Sequence, residues 1–584
     1  MTAPLSPEPY LGPVTGQFDA ATAEATAEHQ WQLAAAGFKE LARIEEAQKT
    51  GADTLPLPAL DHSGPVTGQF SAPLDEARLT EGNEVGLREG GSGSGGTRGE
   101  RAASWPAVAA RDRGGDRVDG RDRGAVALPA RADSVGEIPS ASLRKGWSPV
   151  FVLILLLVGV GWSVRHVVST EDVLTGHPST LSFLWTFVFV SLVWHITLAW
   201  CERPYRVTER QQRYVDSLDL WVNIPLYNEQ PRIVRTVLAA AFRQSRPAQH
   251  IHVVDDGTDE YDYEALGLVE EFHALAAAHP GVDAQWTRKP NGGKRSAQLV
   301  SFRQVPPEAV IATLDSDSVM EYRANEEGLK PFADSRVTSV AAVILAYNTK
   351  ASILTRLTDP WLMAFQLCVR SALSKLGSVL VNSGNLSYYR ARVIHKALDS
   401  YEHELFMGRE VQFSDDSLLT LFAYCEGRTV QQPTSFAFTV LPENIRHHLN
   451  QQLRWMRGSF IRSWWRFKYL PVRSFAYWEH FASWWNFVMV SIAFGDLFVF
   501  GPLVDHKAVP VLFQFSALVA YATALRYLLI RRSDHSFWYQ FVTYLLSPIM
   551  LVWTAMILRP LRIYSMVTCW KTGWGTRGKV EVKI

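Results

Sequence analysis

The chain has 584 residues, with 58 basic and 58 acidic side chains and a formal net charge of +0. A balanced charge gives no global attraction to nucleic acid, so a charged ligand must be bound by local clusters. The 20 tryptophans and 29 phenylalanines suit membrane interfaces and also stacking on sugar rings. The four cysteines include no C-x-x-C pair, which indicates a reducing cytoplasm and neither a disulfide framework nor a zinc site.

Residues 1–145 are predicted to form a disordered, low-complexity cytoplasmic tail, because their Gly/Ser and Arg/Asp/Gly tracts cannot bury enough apolar surface. The heptapeptide GPVTGQF occurs twice in this tail, at 12–18 and at 64–70. One interpretation is a short linear motif that a protein partner binds. The other is a duplication without a role.

Residues 149–201 contain two apolar segments, Pro149–Val164 and about Leu181–Trp200, which are predicted to cross a membrane as helices. A crossing takes roughly 20 residues over about 30 Å of hydrocarbon, so the first segment is slightly short. Lys145 before the segments and arginines after them favour a cytoplasmic position for both flanks. The sequence therefore predicts a multi-pass protein of the cell (plasma) membrane.

Between the apolar regions, residues 203–470 alternate short apolar strands with polar helical stretches. The predicted strands are Leu220–Ile224, His252–Val254, Val310–Leu314 and Ser339–Ala346. This alternation is typical of a doubly wound α/β sheet, in which ligands bind at the carboxyl ends of the strands. We expect a Rossmann-like α/β domain in the cytoplasm, embedded between helical transmembrane segments.

The region 484–570 is predicted to return to the membrane. Its first two spans are expected at about Trp484–Val504 and Ala508–Ile530. The third apolar stretch, Phe537–Leu558, carries Pro548 in its middle and has arginines at both ends. Because basic residues favour the inside, this pattern favours a kinked or re-entrant hairpin over a simple crossing. Residues 571–584 form a C-terminal tail.

Polar side chains follow the first two predicted strands. Strand Leu220–Ile224 leads into a loop with Tyr227 and Glu229, where a nucleotide base could rest, although an ordinary β–α turn has a similar composition. The next strand ends in Asp255 and Asp256, before a glycine. A carboxylate at a strand end can accept hydrogen bonds from uracil or ribose, but Asp-Asp-Gly is also common in turns.

A basic loop and an acidic strand end follow. Lys289, Lys294 and Arg295 surround a diglycine, which suits a diphosphate or, alternatively, a solvated loop. Asp315 and Asp317 end a hydrophobic strand with one residue between them. Carboxylates in this arrangement can hold Mg²⁺ or Mn²⁺ bridging to a donor diphosphate, although two acids can also end a strand without a ligand.

Two further motifs lie on predicted helices. Asp415 and Asp416 precede a helical stretch, where they can stabilise the helix N-terminus, provide a general base, or do both. Downstream, Gln451 and Trp455 share one helix face by their i, i+4 spacing, with Arg454 adjacent. Tryptophan can stack on an acceptor sugar, and arginine can neutralise a leaving diphosphate.

Taken in order, these motifs resemble those of the processive family 2 glycosyltransferases. They are Asp-Asp-Gly at 255–257, Lys-Pro-Asn-Gly-Gly-Lys-Arg at 289–295, Asp-Ser-Asp at 315–317, Ser-Gly-Asn-Leu-Ser-Tyr-Tyr-Arg at 383–390, Asp-Asp at 415–416, Gln-Gln-Leu-Arg-Trp at 451–455 and Gly-Trp-Gly-Thr-Arg at 573–577. The resemblance covers about residues 150–580. It is closest to hyaluronan synthases, with chitin and nodulation chitooligosaccharide synthases next.

The resemblance implies an α/β domain of the glycosyltransferase-A type that uses UDP-GlcNAc, with or without UDP-GlcA, together with Mg²⁺ or Mn²⁺. It implies a growing β-linked polysaccharide that passes through the lipid bilayer, and Asp416 as the catalytic base. The implied UDP-binding residues are Tyr227, Glu229, Asp256, Lys289, Lys294, Arg295 and Asp315, and the implied metal ligands are Asp317 and Asp315. The implied acceptor and product residues are Ser383, Gly384, Arg390, Gln451, Gln452, Arg454 and Trp455, with Trp574 and Arg577 at a C-terminal gate.

The surroundings of the acidic pair depart from the family pattern. Ser414 stands where the family usually has Gly or Thr, and Ser417-Leu418 replaces the Arg-His that commonly follows in hyaluronan synthases. A GlcNAc homopolymer is therefore an alternative product. A non-processive lipid glycosyltransferase is a second alternative, which the multiple C-terminal spans disfavour. A catalytically inactive scaffold that acts through the tail repeat is a third, which the intact acidic clusters disfavour.

Overall fold

The structure is a computed structural model that describes residues 135–144, 148–175, 180–495 and 508–573. The predicted tail up to residue 134, with both heptapeptides, lies outside the described residues, as do Trp574 and Arg577. The predicted span Trp484–Val504 is described only as far as Gly495.

A mixed β-sheet forms the centre of the described chain. The strands are β1 (Ala141–Leu143), β2 (Leu220–Leu226), β3 (His250–Asp255), β4 (Asp283–Arg288), β5 (Val310–Leu314), β6 (Ser318–Met320), β7 (Val337–Ala346), β8 (Leu386–Arg390), β9 (Leu405–Phe406), β10 (Arg409–Glu410), β11 (Arg428–Thr439) and β12 (Ile530–Arg532). Eight of them form one sheet in the order β4-β3-β2-β5-β8-β7-β11-β6. Strands β4, β3, β2 and β5 are parallel, whereas β8 runs antiparallel to both β5 and β7. The expectation of a doubly wound sheet therefore holds for the first half only.

Helices surround the sheet and continue beyond it. In chain order they are α1 (Val150–Thr175), α2 (Thr180–Cys201), α3 (Glu209–Asp216), α4 (Pro231–Phe242), α5 (Leu268–Ala278), α6 (Lys294–Phe302), α7 (Ala324–Leu329), α8 (Ile353–Ala364), α9 (Ser371–Lys375), α10 (Ala391–Lys396), α11 (Leu398–Glu402), α12 (Asp415–Glu426), α13 (Ile445–Tyr469), α14 (Phe475–Gly495), α15 (Ala508–Ala524), α16 (Phe537–Leu545), α17 (Ser547–Trp553) and α18 (Arg559–Val567). Two π-helical turns lie at Phe365–Arg370 and Thr554–Leu558.

The central strands are buried on both faces, which explains their continuous apolar runs. Every residue of β2, β5 and β7 is buried. Along β5, Val310 and Ala312 pack into one hydrophobic cluster, and Ile311 between them packs into a second cluster on the opposite face. This alternation is the period of two expected for a strand covered on both faces. The sheet is therefore fixed in register, and its strand ends are fixed relative to each other.

Apolar helices occupy the segments in which spans were predicted. Among the described residues, the helical stretch Phe537–Val567 is long and apolar enough to cross a membrane. The apolar helices Val150–His166 and Trp185–Cys201 are shorter. Helix α16 ends at Leu545 and α17 begins at Ser547, beside Pro548. The number of crossings stays a prediction.

The segment before α1 is joined to the chain near its C-terminal end. Strand β1 pairs antiparallel with β12, which follows the apolar helix α15. Arg532 in β12 is one of the arginines that precede the apolar stretch Phe537–Leu558, and its side chain is fully buried. Its guanidinium lies 3.2 Å from Asp359 of α8 and 2.7 Å from Asp534. This ion-pair network connects the α/β domain to the segment between α15 and α16.

Replacing Asp359 by alanine should destabilise the protein by about 3 kcal/mol, because it leaves the Arg532 guanidinium with only one carboxylate in a buried site. The matched control is Arg303→Ala, which removes a pair with Glu402 whose side chains are exposed to 56% and 34%. The control should lower the free energy of unfolding by less than about 1 kcal/mol. Thermal unfolding of both variants in the same detergent measures the difference, and equal midpoints would contradict the expectation.

Candidate active site

The carboxyl ends of three parallel strands meet at one edge of the sheet. Strand β2 leads into Tyr227 and Glu229, β3 ends just before Asp256, and β5 leads into Asp315 and Asp317. All five residues line one cavity of about 960 Å³. The predicted clustering of polar strand ends is thus present, as expected for an open α/β sheet.

Most of the described site candidates line this cavity. They are Tyr227, Glu229, Asp256, Lys294, Asp315, Asp317, Ser383, Gly384, Asp416, Gln451, Arg454 and Trp455. The candidates that the structure places outside its lining are Lys289, Arg295, Arg390 and Gln452.

The carboxylate of Asp256 organises the glycine-rich basic loop. It accepts hydrogen bonds from the backbone N–H groups of Gly292 (2.9 Å) and Gly293 (2.7 Å) and from the Lys289 ammonium group (2.8 Å). Gly257, the next residue, has a φ of +71°, and a Cβ there would lie 2.7 Å from the backbone nitrogen of Asn291. The turn therefore requires glycine, and Lys289 contributes by holding the loop in place.

Lys294 connects the end of strand β5 to the acidic pair Asp415-Asp416 at the start of α12. Its ammonium group lies 2.7 Å from Asp315 and 3.0 Å from Asp415. Burial alone would lower the pKa of Lys294, but the carboxylates of Asp315 and Asp415 outweigh it and raise the pKa well above its usual value. The side chain is therefore a fixed positive charge at the cavity wall.

Asp416 lies at the start of α12, one residue after the partner of Lys294. One carboxylate oxygen accepts a hydrogen bond from the backbone N–H of Gly384 (3.2 Å), and the other accepts from the N–H of Ser417 (2.7 Å). Burial and the adjacent charge of Asp415 raise the pKa of Asp416 to about 6. A carboxylate whose pKa lies near neutral pH is suited to accept a proton from a hydroxyl group.

Three of the residues outside the lining are buried in the domain instead. Arg295 forms an ion pair with Glu404 (2.6 Å), and Arg390 donates to the backbone carbonyls of Val337 (2.8 Å) and Phe332 (2.9 Å). Gln452 is buried as well. These side chains stabilise the walls of the site and do not form its surface.

Helix α13 presents one face to the cavity. Gln451, Arg454 and Trp455 lie on that face, as their spacing predicts. Trp455 is 44% exposed, so a large part of its ring is available to a ligand. An exposed indole beside an arginine suits the stacking of a sugar ring near a negatively charged group.

Asp315 and Asp317 also fit a divalent cation that arrives with a phosphorylated substrate. The described residues contain no group of three or more His, Cys, Asp or Glu side chains that could hold a metal ion by itself. Mg²⁺ typically uses one or two protein carboxylates together with substrate phosphates and water. The two aspartates on the cavity wall meet that need, with Asp315 shared with Lys294.

The cavity continues between the apolar helices, where the motifs named no residues. Residues of α2, α14, α15 and α17 line this part, among them His195, Glu479, Ser516 and Ser547. The ring of His195 lies 2.8 Å from the carboxylate of Glu479. Polar residues isolated in apolar segments are a sequence signal for such a site. The cavity therefore connects the acidic edge of the sheet to the helical region.

Comparison with known sequences identifies related proteins. A family model described as "Glycosyltransferase like family 2" matches residues 219–458. The chain is 30% identical over 436 residues to a hyaluronan synthase of Streptococcus pyogenes serotype M6, covering 74% of this chain and 99% of that protein. It is 31% identical over 243 residues to an N-acetylglucosaminyltransferase of Rhizobium meliloti, covering 41% of this chain and 55% of that protein.

Among solved structures, one similar chain is the mannosyltransferase PcManGT from Pyrobaculum calidifontis in complex with GDP-Man and Mn²⁺. The sequence identity is 16%, the TM-score is 0.43, and the match covers 64% of this chain and 98% of that chain.

Replacing Gly458 by alanine should disturb the contact between α13 and the start of α12. A Cβ at position 458 would lie 2.6 Å from the Cβ of Ser414, which is closer than two carbon atoms that are not bonded to each other can approach. We expect a loss of about 1–3 kcal/mol in the free energy of unfolding, as for overpacking in a core. Gly281→Ala is the control, because a Cβ there meets nothing within 4 Å. Thermal unfolding measures both, and a Gly458→Ala protein as stable as the control would contradict the close contact.

Proposed function

The chain belongs to glycosyltransferase family 2, and we propose that it is a processive, inverting enzyme of the cell membrane that polymerises UDP-sugars into an extracellular β-linked polysaccharide. One observation carries this proposal: the 960 Å³ cavity runs from the aspartates at the strand ends to polar residues between apolar helices. An enzyme that extends a chain and releases it across the membrane needs these two regions to be continuous.

In the proposed reaction, Asp416 is the general base. Its carboxylate takes the proton from an acceptor hydroxyl group, whose oxygen attacks the anomeric carbon of the donor sugar. The bond between that carbon and the diphosphate oxygen breaks, and UDP leaves with the electron pair. The cavity-lining carboxylate Asp416 needs no covalent intermediate for this step, so a single displacement inverts the anomeric configuration.

The donor is proposed to bind at the strand ends, against Tyr227, Glu229 and Asp256, with its diphosphate near Lys294. The four carboxylates of Asp315, Asp317, Asp415 and Asp416 lie at this end of the cavity. Lys294 is already shared between two of them, so further positive charge is needed beside a diphosphate. Asp317 and Asp315 would hold Mg²⁺ or Mn²⁺, which would neutralise negative charge on the leaving group.

The acceptor end is proposed to bind against α13. Trp455 offers a ring face for stacking, and Arg454 offers a positive charge beside it. Ser383 and Gly384 also line the cavity, with the Gly384 N–H 3.2 Å from Asp416, and would contact the same sugar. With the rest of the chain in the helical part of the cavity, each new end would stay beside the base after transfer, which is the requirement for processive synthesis.

Hyaluronan-type synthesis from UDP-GlcNAc and UDP-GlcA is the first choice of product, and the similarity to hyaluronan synthases over nearly their whole length supports it. A GlcNAc homopolymer is the second choice, supported by the similarity to an N-acetylglucosaminyltransferase. Ser417, at a position where hyaluronan synthases commonly have arginine, is also compatible with a GlcNAc homopolymer as the product.

The test is incubation of the purified full-length protein with labelled UDP-GlcNAc and UDP-GlcA, singly and together, followed by digestion with hyaluronidase or chitinase. We expect a long polymer only with both donors, and its digestion by hyaluronidase. The Asp416→Asn variant should lose at least about 1000-fold in transfer rate because it lacks the base, while it still binds UDP.

Polymer formed from UDP-GlcNAc alone and digested by chitinase would favour the second product. A single sugar added to a lipid would contradict processive synthesis. Wild-type polymer output from Asp416→Asn would contradict the assignment of the base.

The pH dependence of transfer should report the Asp416 carboxyl group. With a pKa of about 6, Asp416 is ionised above pH 6 and becomes protonated as the pH falls below it. Asp415, Lys294 and Asp315 act on its pKa, and the buried side chains of Arg370, Arg466 and Tyr389 also interact with its charge. We therefore expect the rate at saturating donor to fall about tenfold for each pH unit well below 6. A rate that stays constant down to pH 4.5 would contradict this role.

A further inference from the structure

Glu404 is a buried carboxylate that lies outside the cavity and contacts two arginines from different elements. Its oxygens lie 2.6 Å from Arg295 of α6 and 2.7 Å from Arg462 of α13. The indole N–H of Trp465, also on α13, donates to Glu404 (2.8 Å). The side chain of Arg462 is fully buried and that of Glu404 is 4% exposed. Such a charge is stable only when it is paired on several sides.

The two arginines also donate hydrogen bonds to residues at the start of α12 and directly before it. Arg295 donates to the carbonyl of Phe413 (2.9 Å). Arg462 donates to the carbonyl of Ser414 (3.3 Å) and to the hydroxyl of Ser417 (3.2 Å). These contacts surround the acidic pair at residues 415–416 without touching its carboxylates. Glu404 thus connects to the cavity through the backbone that carries the base.

The backbone of this segment needs such support. Ser414 has a φ of +63°, a left-handed conformation that is unfavourable for a residue with a side chain. Helix α13 can approach Ser414 closely because residue 458 is a glycine: a Cβ at this position would lie 2.6 Å from the Cβ of Ser414. The hydroxyl groups of Ser414 and Ser417 also form a hydrogen bond of 2.7 Å. Besides this internal hydrogen bond, the turn is held by donors from α6 and α13.

We infer that Glu404 is a positioning residue for glycosyl transfer, which holds Arg295 and Arg462 so that their guanidinium groups fix the turn that presents Asp416 to the cavity. The inference rests on the proposed role of Asp416 as the base. The same carboxylate orders three segments of the site. Arg295 directly follows Lys294, and Arg462 lies on the helix that carries Arg454 and Trp455.

The charges of this cluster are mutually stabilising. Burial alone would raise the pKa of Glu404, but Arg462 and Arg295 outweigh it and hold the pKa below its usual value. Glu404 is therefore ionised at neutral pH. A neutral side chain of the same shape would leave two buried guanidinium groups with less compensation, and the carbonyls of Phe413 and Ser414 would lose their fixed donors.

The test compares Glu404→Gln, Glu404→Asp and the control Glu402→Gln in the full-length protein. Glu402 lies two residues earlier and pairs with Arg303 on the exposed surface. We measure kcat for sugar transfer and, separately, the Kd for UDP with Mn²⁺ by calorimetry. Glu404→Gln should lower kcat at least tenfold with a UDP Kd within threefold of wild type. Glu404→Asp should recover part of kcat, and Glu402→Gln should match wild type.

A wild-type kcat in Glu404→Gln would overturn the inference, as would a parallel loss of kcat and UDP affinity. If Glu404→Gln does not yield folded protein, Arg462→Lys decides: it keeps the charge but cannot bridge Glu404, Ser414 and Ser417 together. It should show the same loss of kcat at unchanged UDP affinity, and a wild-type kcat would overturn the inference. Asp416→Asn in the same assay separates the two proposals, since its retained activity would contradict the base itself.

Discussion

The ammonium group of Lys294 holds the two sides of the site together. It lies between Asp315, at the end of a parallel strand, and Asp415, at the start of α12. Because Asp415 is paired with this cation, its pKa is held low against the effect of burial. The pKa of the neighbouring Asp416 rises, because burial disfavours its charged form and Asp415 already places a negative charge beside it. One lysine therefore gives two adjacent aspartates different protonation behaviour.

Residues on the cavity wall and behind it act on this arrangement through one intermediate contact. Asp256 fixes the glycine-rich loop that leads to Lys294, and Lys289 serves that loop. Arg295 faces Glu404, on the other side of the same helix. Ser417 stands where hyaluronan synthases commonly have an arginine. In this chain the guanidinium group beside position 417 comes from Arg462 of α13, which donates a hydrogen bond to the Ser417 hydroxyl. This chain thus places an arginine next to the acidic pair from a different element.

Strands β2, β3, β5 and β7 could be predicted because burial on both faces requires apolar runs. Strand β4 was not predicted, since its polar residues lie at the edge of the sheet and are largely accessible. Strand β11 was missed because it contains Pro433 and two buried glutamines, whose amides are satisfied by distant partners. The mixed topology was missed because β8 inserts antiparallel between β5 and β7, a non-local pairing that no local pattern encodes.

The candidate site shows the same limit. Strand-end carboxylates could be located because parallel strands bring their ends to one edge. The directions of the Arg295 and Gln452 side chains could not be predicted from the motifs. Each residue follows a cavity-lining residue on a helix, where successive side chains point about 100° apart. No local sequence pattern around Arg390 predicts that its guanidinium group donates hydrogen bonds to backbone carbonyls inside the domain. A motif locates a segment, and the direction of each side chain then depends on packing.

The helical part of the cavity bears on the choice between a polymer and a single sugar on a lipid. A charged residue among apolar helices is costly unless it is paired, and His195 and Glu479 are paired across α2 and α14. Their position on the cavity wall, with serines from α15 and α17, gives the wall hydrogen-bonding groups between otherwise apolar helices. A polyprenyl or diacylglycerol carrier would gain nothing from such groups, because its chains are apolar. A sugar chain, with hydroxyl groups on every residue, could replace water at each of them, which supports the proposal of a polysaccharide product.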